Sequence, residues 1–378
     1  MIRFLHIIRD DKFAEGTIKE FDKKEQIESK YILFQKKAEL KYLKDNQRVI
    51  AYRDKKQFVK EIKSDDYDVL FFHSLSPVAY WMINYIPSDK VVIWWAWGYD
   101  IYGGVMGARL FVQLDGLKVQ TKILSKNKNI KRFCRDFVGK MWISSLFFKY
   151  RHKIIKRINY FEPVQNMDYR LMSEQVPGFS AKEFYHYYGY YGEKPFSDRS
   201  TLKSPSILIG NSATLEENHV DVWESIKGVL PQKMKVIIPL SYGDKEYAQK
   251  VKARISATAF HIEFLDTFLP SDEYFALVDN CAYAFFGSIR QHAMGNIYHA
   301  LNNDIKVFLY KDSVMYGYLI NMGFVVYAIE DVNINCFCPI TEEEHNQNMI
   351  AFEREDKYRK EKFDKAMEEI EETVKSKR

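Results

Sequence analysis

Short apolar runs alternate with polar and amphipathic stretches along almost the whole chain. In the first half, the runs at 2–8, 31–34, 48–52, 68–72 and 91–95 have the length and composition of strands, with weaker ones at 159–161 and 184–188. Segments such as 54–64 and 78–85 supply the intervening helices. The second half is more regular. Strands at 206–209, 235–239, 261–264, 282–286, 306–309 and 324–326 alternate there with helices near 218–229, 243–255, 271–280, 294–302 and 314–322. Such alternation predicts parallel sheets, because a parallel pair needs a long crossover and the crossover helix covers a sheet face. The polar, aperiodic stretch 192–205 has a proline toward each end and reads as a linker. From 341 to 378 the chain is charged, free of proline, and reads as one long helix. The expected fold is α/β, with two Rossmann-like domains, 1–195 and 204–378, facing a central cleft. Chemistry is then expected on loops that leave the carboxyl ends of the strands.

A length of 378 residues exceeds what a single core usually supports, and 47% hydrophobic residues are enough to fill two. Disorder is excluded on the same ground. The four cysteines are scattered apart from Cys336 and Cys338, which have no second Cys/His pair at zinc-binding spacing. That usage points to a reducing, cytoplasmic compartment. The N-terminal stretch alternates like a first strand rather than a leader, and the longest apolar runs, 91–97 and 141–148, are too short to span a bilayer.

Charge changes the picture more. Between Lys118 and Arg157 lie thirteen Lys and Arg against one acid, Asp136, so this segment carries +12 of a net +5 and leaves −7 for the rest. It also holds Trp142, Ile143, Leu146, Phe147 and Phe148. A basic stretch with apolar anchors suits an anionic membrane surface. Without an RNP, zinc-finger or helix-turn-helix pattern, nucleic acid is not expected as a partner.

Three loops of the second half offer chemistry. The first is Gly210-Asn211-Ser212-Ala213-Thr214, followed by Glu216, Glu217, Asn218 and His219. Glycine lets a ligand approach the backbone, and the polar side chains can meet phosphate or sugar oxygens. Pro239-Leu240-Ser241-Tyr242-Gly243 occupies the same place in the next strand–helix unit. The third loop carries Arg290 and Gln291 just before a helix opening near Gly295 and Asn296, and a guanidinium beside a helix N-terminus suits a diphosphate. Taken singly, each reads equally as a capped helix start or an ordinary turn. Their recurrence at equivalent strand ends within one domain is not expected by accident.

These loops resemble those of the bacterial TDP-N-acetylfucosamine:lipid II N-acetylfucosaminyltransferases, the 4-alpha-L-fucosyltransferase family or glycosyltransferase family 56. The family's I-L-V-G-N-S…N-D-H-V stretch is similar to Ile207-Leu208-Ile209-Gly210-Asn211-Ser212…Asn218-His219-Val220, and its K-V-x-V-P-x-x-Y block to Lys235 through Tyr242. Its R-Q-Q-G-I-G segment resembles Arg290-Gln291-His292-Ala293-Met294-Gly295, where His292 and Ala293 stand in place of Gln and Gly. In the first half, H-I-W-G-x-D-x-Y is similar to Trp95-Ala96-Trp97-Gly98-Tyr99-Asp100-Ile101-Tyr102, and F-F-H to Phe71-Phe72-His73. The resemblance implies a GT-B fold, a donor nucleotide in the C-terminal domain and a polyprenyl-diphosphate-linked acceptor at the N-terminal one.

The expected activity is therefore transfer of a deoxy- or amino-sugar, fucose-like, from a nucleotide diphosphate to a lipid-linked saccharide in envelope or capsular polysaccharide assembly. The enzyme would work as a peripheral protein on the cytoplasmic face of the inner membrane. The alternatives are a nucleotide-sugar epimerase of the same fold and a non-catalytic sugar-nucleotide-binding protein. No Asp-x-Asp triplet sits on a suitable loop, so neither a metal nor another cofactor is expected, and leaving-group charge would fall to Arg290 and the helix N-terminus. Asp10-Asp11 and Asp65-Asp66 read as solvated turns. An acceptor hydroxyl must lose a proton, and Asp100 and His73, each just after an apolar strand, are the candidate bases, with Asp100 preferred. Trp97 and Gly98 are the candidate acceptor contacts.

Overall fold

The computed structural model describes residues 1–9, 14–34, 48–103, 110–126, 130–186, 194–198, 200, 206–231, 234–256 and 260–377. Asp10, Asp11, Lys128, most of the expected linker and residues 187 and 188 lie outside the described residues, as do the side chains of Lys131, Arg132 and Arg135. The strand expected at 184–188 sits earlier, at Lys182–Glu183, and 184–186 are not strand. The chain divides into two units: 1–113 with 136–190 and 356–378, and 114–135 with 191–355.

The first unit is built on a seven-stranded sheet. Its strands are β1 (Ile2–Ile8), β2 (Ile27–Phe34), β3 (Val49–Tyr52), β4 (Val69–His73), β5 (Val91–Trp95), β8 (Tyr160–Glu162) and β9 (Lys182–Glu183), in the order β3-β2-β1-β4-β5-β8-β9. A separate two-stranded pair joins β6 (Tyr102–Gly103) and β7 (Val112–Gln113). Every pairing in the large sheet is parallel, and β1 pairs with β2 and β4, so strand order reverses beside β1. Such a reversal opens a crevice at the carboxyl ends of the strands. The helices are α1 (Ala14–Asp22), α2 (Lys55–Ile62), α5 (Asn166–Gln175), most of α4 (Ile130–Arg157) and the end of α11 (Glu342–Lys377). The segment expected as a helix at 78–85 is a 3₁₀ helix, Pro77–Tyr85.

The second unit repeats the plan with β10 (Ser206–Ile209), β11 (Lys235–Pro239), β12 (His261–Leu265), β13 (Cys281–Phe286), β14 (Lys306–Leu309) and β15 (Tyr327–Ala328), ordered β12-β11-β10-β13-β14-β15 and all parallel. Helices α6 (His219–Ile226), α7 (Lys245–Ile255), α8 (Ser271–Val278), α9 (Met294–Asn302) and α10 (Val314–Met322) connect them. The last strand starts later than the expected 324–326. Gly323, at φ 97°, and Phe324 are spent on closing α10 through bonds to Leu319 and Ile320 carbonyls, and Asn348 takes the Val325 N–H.

Two segments fall on the other side of the 195/204 division. Helix α3 (Val119–Lys126) belongs to the second unit because Asp221 caps it from outside, accepting the N–H groups of Gln120 and Thr121 at 2.8 and 2.9 Å and the Thr121 hydroxyl at 2.7 Å. The end of α11 joins the first unit because Phe363, Ala366, Met367, Ile370 and Val374 form one helical stripe in that unit's core. Charge patterning hid both, since each segment looks solvated residue by residue.

Candidate functional site

In the second unit, strand order reverses between β10 and β13, and the loops after these strands are tied together. Asn218, in a left-handed conformation, donates its amide to the carbonyls of Gly116, Glu216 and Gly287 at 2.9, 3.0 and 2.8 Å and accepts the Lys118 N–H. The β11 loop is bound to the β10 loop as well: Ala213 donates to the Tyr242 carbonyl and Asp244 donates to Ala213, both at 2.8 Å. Approach is so close that a Cβ on Gly243 would lie 2.5 Å from Ala213 O, and one on Gly287 would lie 2.3 Å from Glu217 O. Gly210 has φ 68°, and a side chain there would meet His219 Nε2 at 2.6 Å and Glu217 Oε2 at 3.1 Å. Glycine at these positions is a steric demand of the loop junction.

The structure thus brings Gly210, Asn211, Ser212, His219, Arg290 and Gln291 to loops on either side of one switch point. Pro239 ends β11 within the core, Ser241 is half-buried and Tyr242 is 45% exposed. Gly295 is exposed, and Asn296 accepts the Tyr274 hydroxyl at 2.8 Å. Arg290 is not a free cation. Its Nη2 lies 3.2 Å from Glu216 Oε1 and its Nη1 donates to the Gln291 carbonyl at 3.1 Å.

Sequence reasoning missed Glu217. It is fully buried at the end of a 3₁₀ turn, Leu215–Glu217, with Oε1 2.8 Å from His292 Nδ1, close enough for an ion pair but off the line of a hydrogen bond. Asn211 Oδ1, Glu217 Oε2, His219 Nε2 and Ser288 Oγ are all buried without a hydrogen-bond partner among the described residues. His219 Nδ1 lies 3.2 Å from the Tyr247 hydroxyl, and burial pulls this imidazole down to a pKa of about 4. Arg290 Nε is orphaned in the same way, and such polar atoms in joined loops are costly unless a ligand or water completes them, at about 1–3 kcal/mol each. No signal in a single sequence separates Glu217 from its exposed-looking neighbour Glu216.

Ala293 stands at φ 58° as the residue before α9, where the family pattern has glycine. Left-handed backbone costs an L-residue roughly 1 kcal/mol. Ala293→Gly is expected to raise stability slightly, by up to about 1 kcal/mol less the flexibility glycine restores to the unfolded chain. Urea denaturation checks it, and a destabilised variant would contradict the strain argument.

In the first unit, Asp100 differs from its expected role. It is fully buried, Oδ2 accepts from the Leu75 N–H at 2.8 Å and Trp94 Nε1 at 2.9 Å, and Oδ1 accepts from the Trp97 N–H at 2.8 Å. Burial raises its carboxyl, while these three donors pull it back. The geometry assigns Asp100 to holding the 96–101 loop, in which Gly98 has φ 73° and Trp97 is half-buried, its ring 4.3 Å from Trp95. His73, at the end of β4, is buried and shares a 3.0 Å hydrogen bond from Nε2 to His6 Nδ1. Nearby His186 has Nδ1 2.7 Å from Glu162 Oε1, and both are buried. His6, Glu162 and His186 were not foreseen, because each sits within or just after an apolar run with nothing local to mark it. Among the described residues, no group of three or more His, Cys, Asp or Glu is placed to hold a metal ion, and no helix is long and apolar enough to cross a membrane.

The fold is that of known sugar-nucleotide proteins. HepE of Anabaena, solved with UDP and glucose, superposes with a TM-score of 0.60 at 11% identity over 100% of both chains. A glycosyltransferase of Rickettsia africae gives 0.57 at 11% identity over 99% of each chain. A putative UDP-N-acetylglucosamine 2-epimerase of Listeria monocytogenes gives 0.51 at 10% identity, covering 92% of this chain and 90% of that one. At such identities the likeness establishes the GT-B fold alone. The family rests on sequence: residues 138–352, more than half of the chain, match the family described as 4-alpha-L-fucosyltransferase glycosyl transferase group 56, and the chain belongs to it.

Proposed function

We propose that this glycosyltransferase binds a nucleotide diphosphate-linked sugar in its second unit and passes a fucose-like deoxy- or amino-sugar to a lipid-linked saccharide. The observation that carries the donor placement is the junction of the β10 and β13 loops, with Asn211, Glu217, His219 and Ser288 each holding a buried polar atom in want of a partner. A sugar with several hydroxyls, followed by a diphosphate, offers both the donors and the acceptors these atoms lack. The UDP held by HepE, a protein of the same fold, favours the same class of ligand. Arg290, neutralised by Glu216, is proposed to turn its remaining N–H groups to the diphosphate, with the start of α9 adding backbone donors. The proposed reaction needs no metal, leaving-group charge being met by these groups.

The lipid-linked acceptor is favoured by α4, a 28-residue helix whose Phe137, Val138, Met141, Trp142 and Phe148 are between 48 and 65% exposed. They lie along one face, with Lys140, Lys149, Lys153 and Lys156 on the same helix, a composition suited to an anionic bilayer surface. Each basic group near such a surface contributes about 1 kcal/mol. The test incubates the protein with radiolabelled UDP- and TDP-sugars and with vesicles carrying bacterial polyprenyl-diphosphate saccharides, anionic or neutral. Label is expected in the lipid fraction, faster on anionic vesicles and slower with added salt. Isomerised nucleotide-sugar without transfer would make the protein an epimerase, and binding without turnover a sensor.

A further inference from the structure

We propose that Glu217 and His292 form a catalytic pair in the donor site, in which the buried carboxylate orients a protonated imidazole toward the departing diphosphate. The proposal rests on the donor lying in the second unit, and goes beyond it by naming the group that meets the leaving charge. Three observations carry it. Arg290, the evident cation of the loop, is already held by Glu216 at 3.2 Å and by the Gln291 carbonyl. His292 Nδ1 lies 2.8 Å from Glu217 Oε1, whereas Glu217 Oε2 is buried with no hydrogen-bond partner among the described residues. The side chain of His292 is 20% exposed while that of Glu217 is wholly buried, so the imidazole is the member of the pair a ligand can reach.

The physical argument is one of placement. A carboxylate 2.8 Å from Nδ1 sets which way the imidazole ring turns, and in the proposed pair Nε2–H donates outward. Glu217 itself is held rigidly. Its carbonyl packs against Gly287 so closely that a Cβ there would lie 2.3 Å away, and Gly210 leaves room for its carboxyl and for His219. Other titratable groups that bear on the pair are Glu216, His219, Arg290, Tyr242, Tyr247 and Tyr274, and the electrostatic influence of Glu217 extends to the three tyrosines and to His219. As the sugar–oxygen bond to the diphosphate breaks, the charge gathers on the departing phosphate oxygen. In the proposed pair the Nε2–H donor meets that charge without reorganisation. The proton stays on Nε2 throughout, so the step is a strengthened hydrogen bond and no proton transfer is required. Glutamine in place of His292 could also donate a hydrogen bond but would carry no charge.

The test compares wild type, His292→Gln and Glu217→Gln in transfer assays across pH 5.5–9, alongside calorimetric binding of UDP and TDP. Wild-type kcat is expected to fall as pH rises through the imidazole range. His292→Gln should lower kcat at neutral pH by about 10–100-fold and remove that limb. Glu217→Gln should move the limb to lower pH, because the imidazolium loses its carboxylate, and Glu217→Asp should restore part of the wild-type profile. An unchanged limb in His292→Gln overturns the pair, even if the variant is less active. Failure of wild type to bind either nucleoside diphosphate would instead remove the donor placement, which separates the two readings. Thermal unfolding of each variant identifies loss of fold, in which case Glu217→Asp and the wild-type pH profile still decide.

Discussion

Asp100→Ala is expected to destabilise the first unit by about 3–5 kcal/mol, and Asp100→Asn by clearly less. In alanine, the Leu75 N–H, the Trp97 N–H and the Trp94 indole N–H all lose their acceptor within a buried loop. Each orphaned donor costs about 1–3 kcal/mol, reduced where water can enter the space left behind. Asparagine keeps one oxygen, enough for the two donors that share Oδ2, but sets an NH₂ against the Trp97 N–H. Its cost is roughly that of one lost bond plus a donor facing a donor, about 1–3 kcal/mol. The ordering alanine worse than asparagine is what distinguishes a loop-holding carboxylate from a base. A base would lose activity by about 10²–10⁴-fold in the asparagine variant with stability nearly intact. Urea denaturation and transfer rates measured below each variant's unfolding temperature separate the two. Asparagine with wild-type stability and collapsed turnover would return Asp100 to the acceptor chemistry.

The example shows how far residue patterns reach. Strand positions were legible because a strand buried on both faces must be apolar throughout, as in Val91–Trp95 and Cys281–Phe286. The loops after β10, β11 and β13 were legible because their glycines are needed where backbones meet. What stayed hidden was partnership at long range. Asp221 caps a helix 100 residues earlier in the chain, and Glu217 meets a histidine 75 positions on. Arg290 and Asp100 look free in the sequence and are both engaged, one by Glu216 and one by three N–H groups. Local signals report which side chains could do chemistry, whereas the fold decides which of them already have a partner.

The largest effect expected is of acid on stability, and it comes from histidines kept neutral by burial. His6 and His73 are held well below the usual 6.5, His186 at about 3 and His219 at about 4, with desolvation the leading cause in each. A neutral imidazole in the folded chain and an ordinary one in the unfolded chain make the unfolded state the better proton binder. Stability is therefore complete above pH 6.5 and is lost as pH falls toward the folded values. A histidine whose folded value lies below that window costs about 1.4 kcal/mol per pH unit within it, so His186, at about 3, costs about 2 kcal/mol at pH 5. His6 and His73, hydrogen-bonded to each other in the same unit as His186, add to that loss in the same direction. Two buried carboxyls work the other way. Burial raises Glu162 and Asp100, so the folded state holds their protons better and gains on acidification. Because Glu162 is paired with His186, most of this offset falls on one histidine, and a net loss of stability between pH 7 and pH 5 is expected. Denaturant titrations at the two pH values measure it directly. Glu162→Gln removes the main opposing group and is expected to steepen the dependence. Equal stability of the wild-type protein at pH 5 and pH 7 would mean that the buried histidines accept protons in place, with water or a local opening reaching them before the unit unfolds.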